Sequence, residues 1–237
     1  GMSAPKPGTP AFMLEEATLL LNEGRSAAAQ DRFSAVLAKE PRNEKALYGT
    51  AICLIYDKKL EAAAEVLKRL LAANADHADA HNTLGIIYTE LNQPDQARIH
   101  LLKAANSPLY GTPENAYLNL AKLELKLSDL TSALRYTDKG ISLAPTFSHL
   151  YILKGIILEQ MGSHKDAEYA LLKGRNLALL KDDPDILMAL GRVYRSLGEY
   201  DKALDYLEKA YIQSPNPEQQ AFLKAQMEET RREHGSN

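Results

Sequence analysis

Residues 190–215 read LGRVYRSLGEYDKALDYLEKAYIQSP, and this stretch decides the fold. Small residues recur in it at Gly191, Gly198, Ala203 and Ala210, and Pro215 closes it. Gly191 and Ala203 lie twelve positions apart, with a turn-forming glycine between them. The spacing predicts two antiparallel helices joined by a tight turn, with Gly191 and Ala203 where the helix axes approach most closely.

The same pair of small residues occurs six times along the chain. The first members of the pairs recur at intervals of 34, 34, 36, 34 and 36 residues. Large apolar residues lie one turn away on the same helix faces, where they would fill the space beside the crossing. The pairs are Ala17/Ala29, Ala51/Ala63, Gly85/Ala97, Ala121/Ala133, Gly155/Ala167 and Gly191/Ala203.

Turn-forming residues and prolines divide the chain at matching places. Residues that accept the left-handed conformation fall between the paired helices, at Gly24, Asn92, Ser128, Gly162 and Gly198. Proline follows the second helix at Pro41, Pro145 and Pro215, where it ends the helix. These breaks predict six units, 10–43, 44–77, 78–113, 114–147, 148–183 and 184–217, after a disordered segment 1–9. Residues 218–237 are predicted to form a C-terminal capping helix and tail.

Composition narrows the class of partner. The chain of 237 residues carries a net charge of −3, which counts against nucleic acid because its binders present a basic face. No stretch approaches the roughly 18 apolar residues of a membrane-spanning helix, so no direct membrane span is expected. Cys53 is the only cysteine, which leaves no internal disulfide and favours a small buried side chain.

A 34-residue helical hairpin with this small-residue pair and a closing proline resembles the tetratricopeptide repeat. The resemblance implies an all-α, right-handed superhelical solenoid of six hairpins with a C-terminal capping helix. Three residues depart from the family pattern, since Glu124, Thr137 and Lys154 stand where large apolar side chains are usual. Either these positions are open to solvent, or Glu124 and Lys154 pair across the boundary between two units.

The resemblance also implies a concave groove lined by the first helix of each unit. Its apolar floor and its basic wall, formed by Lys122, Lys126, Arg192 and Arg195, favour a protein or peptide with apolar anchors and some acidic residues. The alternative is that neighbouring side chains or the N-terminal segment cover the floor. The predicted groove residues are Tyr48, Ile52, Ile55, Tyr56, Asn82, Ile86, Thr89, Leu118, Lys122, Leu125, Ile152, Ile156, Arg192 and Arg195.

Motifs for catalysis are absent from the sequence. It contains no phosphate-binding glycine loop, no nucleophile elbow and no HExxH zinc motif, so neither an enzyme nor a cofactor is expected. His77 and His81 have the spacing of a metal pair, but His77 falls in a turn and His81 at an inward-facing position. We therefore predict no metal site.

A second resemblance concerns residues 106–121, NSPLYGTPENAYLNLA. This stretch adds two residues between the third and fourth units. It is similar to the tyrosine- and proline-bearing insert of bacterial tetratricopeptide proteins for type IV pilus biogenesis, which help assemble the outer-membrane secretin. Those proteins carry a lipobox cysteine near the N-terminus, a role that Cys53 cannot fill.

Location and mode of action leave alternatives open. If Met2 is the natural start, the absence of an apolar leader predicts a cytoplasmic protein. If an N-terminal anchor has been removed, the pilus resemblance implies a periplasmic protein associated with the outer membrane. The expected function is an adaptor that binds a partner peptide. The alternative is a structural protein that self-associates through its convex face or terminal helix, for example as a homodimer.

Overall fold

The structure is a computed structural model that describes residues 3–236. These residues form thirteen α-helices and no β-strand, which confirms the predicted all-α class. The chain divides into two compact units, unit 1 (Gly1–Thr112) and unit 2 (Pro113–Asn237). Of the segment 1–9 that was predicted to be disordered, residues 1 and 2 lie outside the described part. At its other end, the Thr9 side chain caps the first helix by accepting a hydrogen bond from the amide of Phe12.

Unit 1 consists of three helical hairpins. In each hairpin two helices of similar length pack side by side, and each hairpin packs on the next. The helices are α1 (Pro10–Asn22), α2 (Ser26–Lys39), α3 (Glu44–Tyr56), α4 (Leu60–Ala73), α5 (Ala78–Glu90) and α6 (Pro94–Ala105).

Unit 2 consists of three further hairpins and a last helix. The last helix packs on α12 and covers the apolar end of the sixth hairpin through Leu223 and Met227, which join Leu187 and Leu207 in one buried cluster. The helices are α7 (Pro113–Lys126), α8 (Leu130–Leu143), α9 (Ser148–Gln160), α10 (His164–Leu177), α11 (Pro184–Ser196), α12 (Tyr200–Gln213) and α13 (Pro217–Gly235).

The paired small residues lie at the helix crossings, as the spacing predicts. Each alanine of the six pairs is completely buried. At Gly191 a Cβ atom would fall 2.7 Å from Cδ2 of Leu207, so the leucine of the second helix fills the space that the missing side chain leaves. Leu101 and Leu171 fill the same space beside Gly85 and Gly155. Close packing of this kind explains why only glycine or alanine stands at the first position.

All six hairpin turns contain one residue in the left-handed conformation. Its φ lies between +55° and +79° at Gly24, Lys58, Asn92, Ser128, Gly162 and Gly198. In each turn the next residue donates its amide hydrogen to a carbonyl of the preceding helix, and Lys59, for example, bonds Leu54 at 2.8 Å. Lys58 was not predicted here, because lysine does not favour this conformation.

Two of the three departures from the repeat pattern, Glu124 and Thr137, are buried. Glu124 is only 3% exposed, so solvent exposure is the wrong explanation for this residue. Lys154 Nζ donates to Asp138 Oδ1 at 2.7 Å, an acidic partner that the sequence did not identify. The Glu124–Lys154 pair stays a prediction. Thr137 is completely buried, and its hydroxyl donates to the carbonyl of Ala133 at 2.8 Å, which satisfies its polar group.

Candidate functional site

The first helices of the hairpins in unit 1 present apolar side chains to solvent. We call this solvent-facing side of the first helices the first-helix surface of a unit. Tyr56 on α3 is 66% exposed and Ile86 on α5 is 41% exposed, while Ile52 and Ile55 of α3 are partly buried. Because the fold does not need an exposed tyrosine or isoleucine here, these positions remain candidates for contact with a partner.

Two of the predicted polar residues in unit 1 are tied into the fold. The hydroxyl of Tyr48 lies 3.0 Å from Oγ1 of Thr83, which links α3 to α5, and its ring stacks on His77. Burial raises the pKa of Tyr48, so the phenol stays neutral. Thr89 donates its hydroxyl to the carbonyl of Gly85 at 2.8 Å, and Asn82 is partly buried on the same helix. Tyr48 and Thr89 thus use their hydroxyl groups in hydrogen bonds within the protein, where they fix the helices that carry the surface.

The first hairpin adds a cleft that the sequence-based set omitted. Its volume is about 470 Å³, and Leu14 and Thr18 of α1 occupy the same repeat positions as Tyr48 and Ile52 one unit later. This equivalence of repeat positions is the sequence signal by which Leu14 and Thr18 could have been predicted as groove residues. The lining residues are Ala11, Leu14, Glu15, Thr18, Leu19, Asn22 and Lys45.

In unit 2 the predicted residues divide between surface and core. Lys122 is exposed on α7, and Leu125, Ile152 and Ile156 are partly buried. Leu118 is only 7% exposed and belongs to a core cluster of this unit. Placing Leu118 on the binding surface was therefore wrong, because α7 turns this side chain toward the neighbouring helices.

The predicted basic wall is largely neutralised within the chain. Arg192 makes a two-pronged ion pair with Glu159, in which Nε and Nη2 lie 2.8 and 3.0 Å from the two carboxylate oxygens. This pair joins α9 to α11. Arg192 is consequently not a free cation for an acidic partner.

Arg195 is held by the last helix. Its Nη2 lies 2.6 Å from Glu233 and 2.9 Å from Glu229, and Nη1 donates to Gln226 at 3.1 Å. The two carboxylates raise the pKa of Arg195, and the guanidinium lowers the pKa of Glu233. Two of the four predicted wall residues thus stabilise the fold, and Lys122 and Lys126 remain exposed.

Unit 2 contains an apolar cleft of about 710 Å³ beside Ile152 and Ile156. One side is α9, another is the start of α11 with Ile186, and the third is the loop after α10, with Leu179 and Leu180. Sequence reasoning identified the two isoleucines but missed the loop. The signal was present, since the interval from Gly155 to Gly191 is 36 residues instead of 34, which places two extra residues there.

The histidines of unit 1 form a structural cluster. Nδ1 of His81 lies 2.9 Å from Nδ1 of His100, and Nε2 of His81 lies 2.8 Å from the carbonyl of Ala75. His77 uses Nδ1 to accept the amide hydrogen of Ala80 and so caps α5. Both nitrogens of His81 are therefore engaged within the protein.

Neither a metal-binding cluster nor a membrane-spanning helix occurs among the described residues. Within residues 3–236, no group of three or more histidine, cysteine, aspartate or glutamate side chains is arranged to hold a metal ion. None of the helices described for this chain combines the length and the apolar character that crossing a bilayer requires.

Comparison with family models accounts for most of the chain. Two models described as "Tetratricopeptide repeat" match residues 14–75 and 54–107. A model described as "Psidin, N-terminal TPR repeats region" matches residues 124–226. The matched ranges cover hairpins of both units.

Curated proteins with similar sequences are much longer than the region they share with this chain. BBSome complex member BBS4 of Bos taurus is 26% identical over 160 residues, which is 66% of this chain and 30% of that protein. TPR repeat-containing protein MJ1428 of Methanocaldococcus jannaschii is 28% identical over 166 residues, or 69% and 28%. The chain thus spans less than a third of the length of these relatives.

Solved structures share the fold at low sequence identity. PilW, described as a widely conserved type IV pilus biogenesis factor, matches with a TM-score of 0.82 and 22% identity over 92% of this chain and 99% of that one. PilF of Pseudomonas aeruginosa matches with a TM-score of 0.79 and 17% identity over 92% and 97%. YrrB, described as a TPR protein with an unusual peptide-binding site, matches with a TM-score of 0.58 and 19% identity over 81% and 97%. With six hairpins built on the paired small residues, the chain belongs to the tetratricopeptide repeat family.

Proposed function

We propose that the protein is an adaptor that binds a partner polypeptide on its first-helix surfaces. The observation that carries this proposal is the set of apolar side chains left open there, above all Tyr56 and Ile86 in unit 1 and the cleft beside Ile156 in unit 2. Exposed apolar surface of this kind usually marks an interaction site. The likeness to YrrB, whose description names a peptide-binding site, supports the same reading.

Apolar anchors are the main recognition element in this proposal. The acidic residues that were expected in the partner lose much of their support, since Arg192 and Arg195 are paired within the chain. Of the four basic residues predicted for the wall, Lys122 and Lys126 remain exposed. We propose no catalytic role, in line with the general use of tetratricopeptide repeats as scaffolds.

We further propose that the pathway is the assembly of a type IV pilus or its secretin. The support is the insert at residues 106–121 and the fold shared with PilW and PilF. This proposal carries a periplasmic location, and cell fractionation separates it from the cytoplasmic alternative. Deleting the gene in the source organism should abolish secretin multimers, and unchanged multimers would contradict the pilus assignment.

The binding proposal is tested by charging its apolar surface. In the double variant Ile86→Asp/Ile156→Asp, we expect loss of at least about tenfold of partner captured from source cells, because buried carboxylates in an apolar interface remain unpaired. The matched control is Ile99→Asp/Leu143→Asp, which charges exposed positions on the second helices α6 and α8. Circular dichroism verifies that both proteins are folded. Equal capture by the two variants would refute the proposal.

Self-association is the second candidate. Ile212 of α12 and Phe222 of α13 are 67% and 50% exposed near the C-terminal end of unit 2, which favours contact with another copy there. Sedimentation velocity distinguishes the candidates. An oligomer that becomes monomeric in Ile212→Ser/Phe222→Ser would support this alternative.

A further inference from the structure

The apolar cleft of unit 2 has an unusual third wall. Two of its walls are α9 and α11, the first helices of two successive hairpins. They supply Ile152, Ile156 and Ile186. The third wall is the loop 178–183, where Leu179 is fully exposed and Leu180 is 65% exposed. Two adjacent leucines in water beside an apolar cleft extend its apolar surface outward.

The loop is held in place by one arginine. Nε of Arg175 donates to the carbonyl of Lys181 at 2.9 Å, and Nη2 lies 2.7 Å from Oδ1 of Asp182. The same guanidinium lies over the ring of Tyr206 on α12, 5.6 Å from its centre. These bonds tie the two residues after the leucines to helix α10, which precedes them. The two leucines are therefore held at the surface before a ligand binds, which lowers the entropic cost of binding.

The rim of the cleft is acidic. Asp183 accepts the amide hydrogen of Asp185 at 2.9 Å, and Asp185 accepts a hydrogen bond from the side chain of Gln219 at 3.1 Å. Both donors are neutral, so neither negative charge is balanced by them. Among the described residues that line the cleft there is no lysine or arginine. The carboxylate of Asp182, by contrast, is already paired with Arg175.

We propose that this cleft binds a peptide segment in which one large apolar side chain stands next to a lysine or arginine. The apolar side chain lies between Ile156, Ile186 and the two loop leucines, and the cation lies against Asp183 and Asp185. The inference rests on the proposed function and adds to it a site and a partner chemistry. It also differs from the acidic partner that the sequence predicts, because the charge at this cleft has the opposite sign.

The test uses a displayed library of random peptides of about twelve residues, selected on the full chain. We expect enriched sequences to carry leucine, phenylalanine or methionine within about two positions of lysine or arginine. The best peptide is then synthesised and its Kd measured by fluorescence anisotropy. Its affinity should fall about tenfold in Leu179→Ser/Leu180→Ser and about threefold in Asp185→Asn, which keeps an oxygen for Gln219. High salt should weaken the wild-type complex.

Matched controls lie in the same unit. Leu143→Ser/Tyr169→Ser removes two exposed large hydrophobic side chains from second helices, and Asp205→Asn removes an exposed carboxylate from α12. Neither should change the Kd. All four proteins should unfold at similar temperatures, since the substituted side chains are exposed.

Three results would overturn the inference. They are enriched peptides without basic residues, a Kd unchanged by Leu179→Ser/Leu180→Ser, and no enrichment above an unrelated helical protein. Peptides that depend on Ile86 but not on the loop leucines would leave the proposed function standing while removing this site. If no peptide is enriched, the proposed function is still tested separately by comparing how much partner the wild type and the Ile86→Asp/Ile156→Asp variant capture from source cells.

Discussion

At the residue scale, the paired small positions are explained by the side chain that lies sixteen residues later. Leu207 fills the space above Gly191, and Leu101 and Leu171 do the same above Gly85 and Gly155. A methyl group at these glycines would need the volume that a buried leucine already occupies.

Replacing Gly191 with alanine should therefore destabilise the protein although alanine favours helices. The new Cβ would lie 2.7 Å from Leu207 Cδ2 and 2.8 Å from its Cγ, in a core without room to adjust. Overpacking costs about 1–3 kcal/mol, against about 1 kcal/mol gained in helix propensity. We expect a net loss of about 0–2 kcal/mol in the free energy of unfolding measured by chemical denaturation. Gly235→Ala is the control, since nothing lies within 4 Å of its Cβ, and equal stability of the two variants would contradict the packing argument.

The sequence predicts the role of a residue when that role depends on its position in the repeat, and not when it depends on contacts with another helix. The paired alanines and glycines and the left-handed turns at Gly24 and Gly198 were predictable, because the repeat states the same constraint six times. Lys58 was not, since its left-handed conformation is imposed by the turn and not favoured by lysine. The partner of Lys154 was missed for a related reason: the pattern does not show which carboxylate of a neighbouring helix comes within reach.

At the scale of elements, the last helix belongs to the core of unit 2. Leu223 is completely buried against the sixth hairpin, while Phe222 next to it is half exposed. Leu223→Ala should lower the free energy of unfolding by about 2–4 kcal/mol, because it removes a buried side chain and leaves a cavity. Phe222→Ala should change it by less than about 1 kcal/mol. Thermal denaturation of the two variants checks this, and a stable Leu223→Ala protein would mean that α13 is not a structural cap.

The contact between α5 and α6 includes a histidine pair that responds to pH. Nε2 of His81 donates to Ala75, so its Nδ1 accepts the hydrogen that His100 donates from Nδ1, and both rings are neutral. Burial, followed by repulsion from Lys103, Lys68 and a protonated His81, lowers the pKa of His100 to about 4. Burial also lowers the pKa of His81.

Acid should therefore weaken unit 1 in a defined window. Below the ordinary histidine pKa of about 6.5 the unfolded chain binds a proton at His100 that the folded chain refuses until about pH 4. The neutral His100 makes its full contribution to the free energy of unfolding above pH 6.5. As the pH falls from 6.5 to 4, this contribution decreases by at most about 1.4 kcal/mol per pH unit for one proton. In His100→Gln the slope of unfolding free energy against pH should be smaller in this window. Identical slopes would contradict the neutral pair.

At the scale of the whole molecule, the repeat predicted the fold better than the binding surface. The side of each first helix that faces solvent follows from register, and Tyr56, Ile86 and Lys122 are exposed as that register requires. The register does not predict which side chains of neighbouring helices contact a given residue. Arg195 is occupied by the last helix, and Leu118 is in the core. Such contacts depend on how neighbouring helices pack, which the repeat pattern does not specify.

Photo-crosslinking tests the central claim most directly, that a partner polypeptide lies on the first-helix surfaces. A photoreactive amino acid is placed at Tyr56 or Ile156 on first helices, and at Ile99 or Leu143 on second helices, and the protein is irradiated with its captured partner. The account predicts crosslinks to the partner from Tyr56 and Ile156 and none from Ile99 and Leu143. Crosslinks from the second helices alone would contradict it.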